Sequence, residues 1–181
     1  MPVRLYTIGH STHGFEGFVA LLHVHGIRRL VDVRTVPRSR RIPWASSATL
    51  PGALAPEGID YLHMAELGGL RRPRPDSPNA GWRNSGFRGY ADHMQTPEFD
   101  AAMGRLLELA ADAPTTVMCA EAVPWRCHRG LIADAALARG ADVRHILSAA
   151  PPAAHAMTSF ARVEGRRVTY PGDPGQARLP E

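Results

Sequence analysis

The chain reads as an α/β domain, a mainly parallel sheet flanked by helices on both faces and carrying long Arg-rich loops. Three observations predict it. Short apolar runs recur at Arg4–Ile8, Arg29–Val33, Pro114–Met118 and Asp142–Leu147. Segments with apolar residues at helical spacing separate them. The alternation of strand and helix then calls for parallel crossovers with helices covering the sheet. With 181 residues, 44% of them hydrophobic, one core is expected over residues 1–170, and the Pro- and Gly-containing segment 171–181 is expected to be a flexible tail.

Element by element, Arg4–Ile8 ends in Gly9-His10-Ser11. Phe15, Phe18, Val19 and Leu22 then follow a helical stripe up to a stop at Gly26. Arg29–Val33 is a buried strand, residues 35–47 a loop, and a short helical piece runs to about Glu57 before a third strand at Gly58–Leu62. Glu66–Phe87 lacks periodicity and reads as a long irregular loop, of the kind that is functional or mobile in a compact domain. Thr96-Pro97-Glu98 marks the start of a helix bearing Phe99, Met103, Leu106, Leu107 and Ala110. A strand at Pro114–Met118, a helix from about Trp125 to Arg139 closed by Gly140, and a strand at Asp142–Leu147 complete the pattern.

Composition excludes several function classes. The N-terminus lacks the pattern of a secretion signal, and no apolar run approaches the roughly 18 residues of a membrane helix. With two cysteines, Cys119 and Cys127, there is no disulfide framework, and a cytoplasmic protein without membrane contact is expected. The net charge is +4, which favours polyanionic partners. All 21 basic side chains are Arg, so a Schiff-base lysine and a P-loop lysine are both excluded.

In parallel α/β sheets ligands bind beyond the carboxyl ends of the strands. The polar residues there are His10 and Ser11, Asp32 and Arg34, and Cys119 with Glu121, which parallel strands would open on one edge. Cys119, ahead of a helix, is where backbone N–H groups and the helix dipole hold a thiolate. The same position suits an anion bound by Arg126, Arg129 and the helix terminus. A buried cysteine is equally an ordinary core residue, and Cys127 reads as packing.

The ordered motifs Ile8-Gly9-His10-Ser11, Asp32-Val33-Arg34 with Pro37 and Ser39, Leu67-Gly68-Gly69, Tyr90-Ala91, Cys119-Ala120-Glu121 with Pro124, and Cys127-His128-Arg129 carry a resemblance. The chain resembles the domain-of-unknown-function 488 family over roughly residues 5 to 147. That resemblance implies the fold and a shared polar site rather than a known activity. Gly9, Ser11, Asp32, Arg34, Ser39, Tyr90, Cys127, His128 and Arg129 are its ligand-binding candidates.

The leading expectation is an enzyme acting on a phosphate-bearing ligand, a nucleotide or nucleic acid. Arg34 and Arg129 would bind the anion, His10 and Glu121 would move protons, and Cys119 would be the nucleophile. Salt bridges that merely tie the strand ends together account for the same charges. A second expectation is a non-catalytic nucleic-acid module using Arg38-Ser39-Arg40-Arg41 and Arg71-Arg72-Pro73-Arg74, with Trp44, Trp82 and Phe87 as stacking platforms. The outline from Val117 to Val143 is also similar to rhodanese-like sulfurtransferases, which adds thiol chemistry as a third. A phosphatase Cys-x5-Arg loop is not matched, because Arg126 falls one position late. His10, Cys119, Glu121, Cys127 and His128 are permissible zinc ligands at spacings unlike any finger or ribbon, so no metal is assigned. The sequence specifies no cofactor.

Overall fold

A computed structural model describes residues 1–173. Its six-stranded sheet has the order β3-β2-β4-β1-β5-β6, with β1 Arg4–Gly9, β2 Arg29–Asp32, β3 Asp60–His63, β4 Thr115–Cys119, β5 Asp142–His145 and β6 Ala153–Ala154. All pairs are parallel except β5 with β6. A separate hairpin joins β7 Arg162–Glu164 to β8 Arg167–Thr169. The expected α/β class and mainly parallel sheet are therefore present. Part of the expected tail, 174–181, lies outside the described residues.

The connection from β1 to β2 through α1 (Phe15–Val24) passes β4 in one direction, and the connection from β4 to β5 through α5 (Arg129–Ala138) passes β1 in the other. Right-handed crossovers of opposite direction place their helices on opposite faces. Two cores result. Ile8, Leu30 and Met118 pack with Phe18 and Leu22 of α1 and with Leu50 and Leu54 of α2 (Leu50–Leu54). Leu5, Val31, Val33 and Val117 pack with Tyr90 of α3 (Ser85–His93), Phe99, Met103 and Leu106 of α4 (Pro97–Asp112), and Leu131 and Ile132 of α5. Successive strand residues face opposite sides, so each strand's apolar run is divided between the two cores.

Two expectations are corrected, and one segment left unassigned gains structure. The helix expected from Trp125 begins instead at Arg129, because Cys127 is extended (φ −140°, ψ 151°) and Pro124–Arg126 form only a 3-10 turn. Helix α3 occupies what was read as the end of a long loop and the segment after it, capped where the Asn84 side chain accepts from the Phe87 N–H at 3.1 Å. The segment after β5 carries β6 and the β7–β8 hairpin, whose turn uses Gly165 at φ +62°.

The direction of the crossovers reverses between β1 and β4, the switch point at which such sheets open. Gly9 and Cys119 are register partners there.

Candidate functional site

At the switch point the backbones are pinned together. His10 N–H donates to Cys119 O at 2.9 Å and Ser11 N–H to Ala120 O at 3.0 Å, with Ser11 held at φ +46°. The loop after β4 lies so close that a Cβ on Gly9 would overlap the Glu121 carbonyl and stand 2.9 Å from Arg129 Nη1. Gly9, expected to contact ligand, is instead the point of close approach. Gly9→Ala is expected to lose at least about 3 kcal/mol in urea denaturation, since backbone rather than a flexible side chain must yield. A loss under about 1 kcal/mol would contradict this close approach.

The candidate residues divide by side of the sheet. Asp32 alternates with Val31 and Val33 and so faces the α1 side, where its carboxylate accepts from Arg34 Nε at 2.9 Å, Arg34 Nη2 at 2.6 Å and Tyr61 Oη at 2.6 Å. Arg34 Nη2 also reaches Ala45 O at 2.6 Å, and Nη1 lies 3.4 Å from His10 Nε2. His10 is 3% exposed. Its Nδ1 lies 3.0 Å from Ser11 O and therefore carries the proton, and burial lowers its pKa. This is a closed network in which Arg34 is spent on protein acceptors. Ser39 is likewise structural, its Oγ accepting from the Ile42 N–H at 2.9 Å.

The other group stands on the α5 side. Arg129 is 0% exposed, although a guanidinium is almost never fully buried without a compensating anion. Its Nη1 donates to Cys119 Sγ at 3.4 Å and Glu121 O at 3.3 Å, its Nη2 to Ala122 O at 3.3 Å, and its Nε has no partner among the described residues. Its backbone N–H faces Cys127 Sγ at 3.5 Å. Burial by itself would raise the Cys119 pKa, but the adjacent Cys127 thiol and the Arg129 charge outweigh it and bring it below the usual thiol value. Cys127 moves the opposite way, raised first by its neighbour Cys119 and then by burial. Of the two coupled thiols, Cys119 is therefore the one that gives up its proton first.

His128 frames the pair. Its Nε2 lies 2.8 Å from Val33 O and so bears the proton, leaving Nδ1 as an acceptor 3.4 Å from Cys127 Sγ. Its ring packs on Tyr90 at 5.0 Å, and burial pushes its pKa down to about 4, keeping it neutral. Tyr90 is itself anchored through its hydroxyl to Leu67 O at 2.8 Å. Glu121 presents only its backbone carbonyl to this group, and its side chain is exposed. Among the described residues no hydrogen bond joins a side chain of the Asp32–Arg34–His10 group to one of the Cys119–Cys127–His128–Arg129 group. The single edge expected from sequence is thus two groups on opposite sides of the sheet, because side chains near the strand ends alternate between its faces.

Sequence reasoning passed over a third set. Asp134 of α5, fully buried, accepts from His155 Nε2 at 2.7 Å, Thr158 N–H at 3.0 Å, Thr158 Oγ1 at 2.6 Å and Tyr170 Oη at 2.7 Å. His155 Nδ1 meets His145 Nε2 at 2.9 Å, and His145 Nδ1 meets Thr7 Oγ1 at 2.6 Å. Burial lowers His145 to about 4. A continuous relay of hydrogen bonds thus runs from Thr7 through both imidazoles to Asp134. A cavity of about 450 Å³ opens beside this relay and reaches Cys127, with Trp82, Phe87, Trp125 and Leu131 on its walls.

The three aromatic side chains expected as stacking platforms for nucleic acid are half-buried and pack on other rings of the protein. Trp44 donates to His13 O and packs on Phe18 at 5.0 Å, and Trp82 packs on Phe87, Phe160 and Tyr170. Arg74 is paired with Asp76 and Arg71 holds Gly68 O, whereas Arg38, Arg40 and Arg41 are exposed. Among the described residues no group of three or more His, Cys, Asp or Glu side chains forms a metal cluster, and no helix is long and apolar enough to cross a membrane.

No curated protein and no solved structure matches the chain. A family model matches residues 14–136, narrower at both ends than the span over which the motifs were read but covering α1, the Asp32-Val33-Arg34 end of β2, and the Cys119–Arg129 loop. On that match the chain belongs to the family described as domain of unknown function DUF488.

Proposed function

We propose that the protein is a thiol-dependent enzyme, with Cys127 as the sulfur that meets substrate and Cys119 as the anionic partner that takes its proton. One observation carries the reading: the fully buried Arg129 touches both sulfurs, and among the described residues Cys119 is the only partner of its guanidinium able to carry negative charge. A buried guanidinium without an anion costs several kcal/mol, so a thiolate at Cys119 stabilises the cation as the cation stabilises it. Cys127 lines the cavity and Cys119 lies behind it. When Cys127 attacks an electrophilic centre its proton passes to Cys119, a bond to Cys127 Sγ forms, and the leaving group departs with the electrons of the bond that breaks. The nucleophile expected at Cys119 thus becomes the base for its neighbour. Arg34 and the two Nη groups of Arg129, expected to bind phosphate, are turned to protein acceptors, which favours thiol chemistry over the phosphate-bearing ligand.

The test is iodoacetamide alkylation from pH 5.5 to 9, mapped by mass spectrometry. Cys127 modification should persist well below the ordinary thiol pKa of about 8.5, and Cys119→Ser should lower its rate at pH 6.5 by roughly tenfold or more. Ordinary alkaline profiles at both cysteines, or no modification of the folded protein, would overturn the reading.

A further inference from the structure

Among the described residues the cavity beside Cys127 has no titratable side chain on its wall other than the Cys127 thiol and the two imidazoles of His145 and His155. Both imidazoles have both ring nitrogens engaged: His145 with Thr7 and His155, His155 with His145 and Asp134. Thr158 has its hydroxyl proton on Asp134. The relay is therefore closed on itself and leaves neither imidazole a ring nitrogen free for a ligand. A phosphate or carboxylate entering here would lose its hydration with no cation among the described lining residues to replace it, only the neutral indole N–H groups of Trp82, which has no partner among the described residues, and Trp125, at a cost of several kcal/mol.

What the cavity does offer is rings. Trp82 and Phe87 stand with centroids 5.1 Å apart on one side. Trp125, an indole 68% exposed to solvent, stands on another. A large exposed aromatic beside a concave apolar surface is a contact prepared for a ligand. A volume of about 450 Å³ fits a one- or two-ring group.

We propose that this cavity binds the uncharged aromatic portion of the substrate and delivers its electrophilic centre to Cys127. The proposal deepens the thiol reading and rests on it for the identity of the reacting atom. The cavity's preference for neutral rings stands on the lining alone.

Two measurements separate the two ideas. In the first, indole and adenosine monophosphate are titrated by calorimetry against the Cys119→Ser/Cys127→Ser protein, which has no thiol. Indole is expected to bind and the nucleotide not, and Trp125→Ala is expected to weaken indole by about tenfold, the loss of one well-packed aromatic contact. No indole binding, or nucleotide binding that Trp125→Ala weakens, would overturn the cavity proposal whatever the thiols do.

In the second, the protein with both cysteines is treated with N-benzyl iodoacetamide, iodoacetamide and iodoacetate, which share one reactive carbon and differ in the group the cavity must hold. The benzyl reagent is expected to modify Cys127 at least about tenfold faster than iodoacetamide, with iodoacetate slowest. Trp125→Ala should remove the benzyl advantage, bringing the benzyl rate down to that of iodoacetamide on the same variant. Equal rates for the benzyl and parent reagents would overturn the delivery step even where iodoacetamide upholds the thiol reading. No reaction with any of the three overturns the thiol reading and the delivery step together, while the indole titration still decides the cavity.

Discussion

Arg129→Met is expected to lower stability by about 3 kcal/mol and to slow Cys127 alkylation at pH 7 by at least tenfold. The side chain is wholly buried at the start of α5, and methionine fills comparable space with no donors. Glu121 O and Ala122 O lose their guanidinium hydrogen bonds, and a buried acceptor left unpaired costs about 1–3 kcal/mol. Cys119 loses its cation and takes up a proton, so both thiols hold their protons and Cys127 has no base beside it. Urea denaturation and the alkylation profile read the two effects separately. Arg129→Lys keeps a charge but not the fork that spans Cys119 and the two carbonyls, so part of the low-pH reactivity should survive at a smaller cost in stability. A methionine variant that stays reactive at pH 6.5 would show that the thiolate does not depend on Arg129.

The sheet was legible because its strands are short apolar runs between helical stripes. Leu5, Val31 and Val117 each sit in one, and both faces are covered. Helix α4 announced itself through Thr96, whose hydroxyl accepts from the Phe99 N–H at 3.2 Å, with Pro97 behind it. Helix α3 was hidden because Ser85-Gly86-Phe87-Arg88-Gly89 holds two glycines, which disfavour a helix by about 1 kcal/mol each. Gly89 is needed there because a Cβ would overlap the Arg71 carbonyl. The start of α5 was misread because Pro124 looks like a first helical residue, yet it opens only a 3-10 turn before extended Cys127.

The site was legible in its parts and not in its grouping. His10, Asp32, Arg34, Cys119, Cys127, His128 and Arg129 all lie at the strand ends, but the alternation Val31-Asp32-Val33 already assigns Asp32 to the side opposite the valines. Reading that period would have separated the Asp32 network from Cys119. His155 gave no such signal. It follows Pro151-Pro152 and the two-residue strand β6, where no periodicity exists, and only folding brings it onto Asp134 and His145.

Acid should unfold this protein earlier than its carboxylates alone would dictate, because at least two imidazoles are held in the fold in neutral form. His128 and His145 each fall from 6.5 to about 4, driven first by burial. Burial also lowers His10 and His93. Between about 4 and 6.5 the unfolded chain binds protons at these positions that the folded chain refuses. Stability is therefore complete above about pH 6.5 and is lost as pH falls through the window. Each of the two imidazoles carries on the order of 3 kcal/mol, so together they approach the whole stability of a typical domain, roughly 5–15 kcal/mol. Urea midpoints at pH 7.5, 6.5, 5.5 and 4.5 should decline steeply below pH 6.5. His128→Gln, which retains an N–H for Val33 O but cannot titrate, should make that decline shallower by about one proton while lowering stability at pH 7.5. A wild-type midpoint that stays level from pH 6.5 to 4.5 would mean that these imidazoles accept protons inside the fold, and that the neutral His128 Nδ1 facing Cys127 does not persist into the acid range.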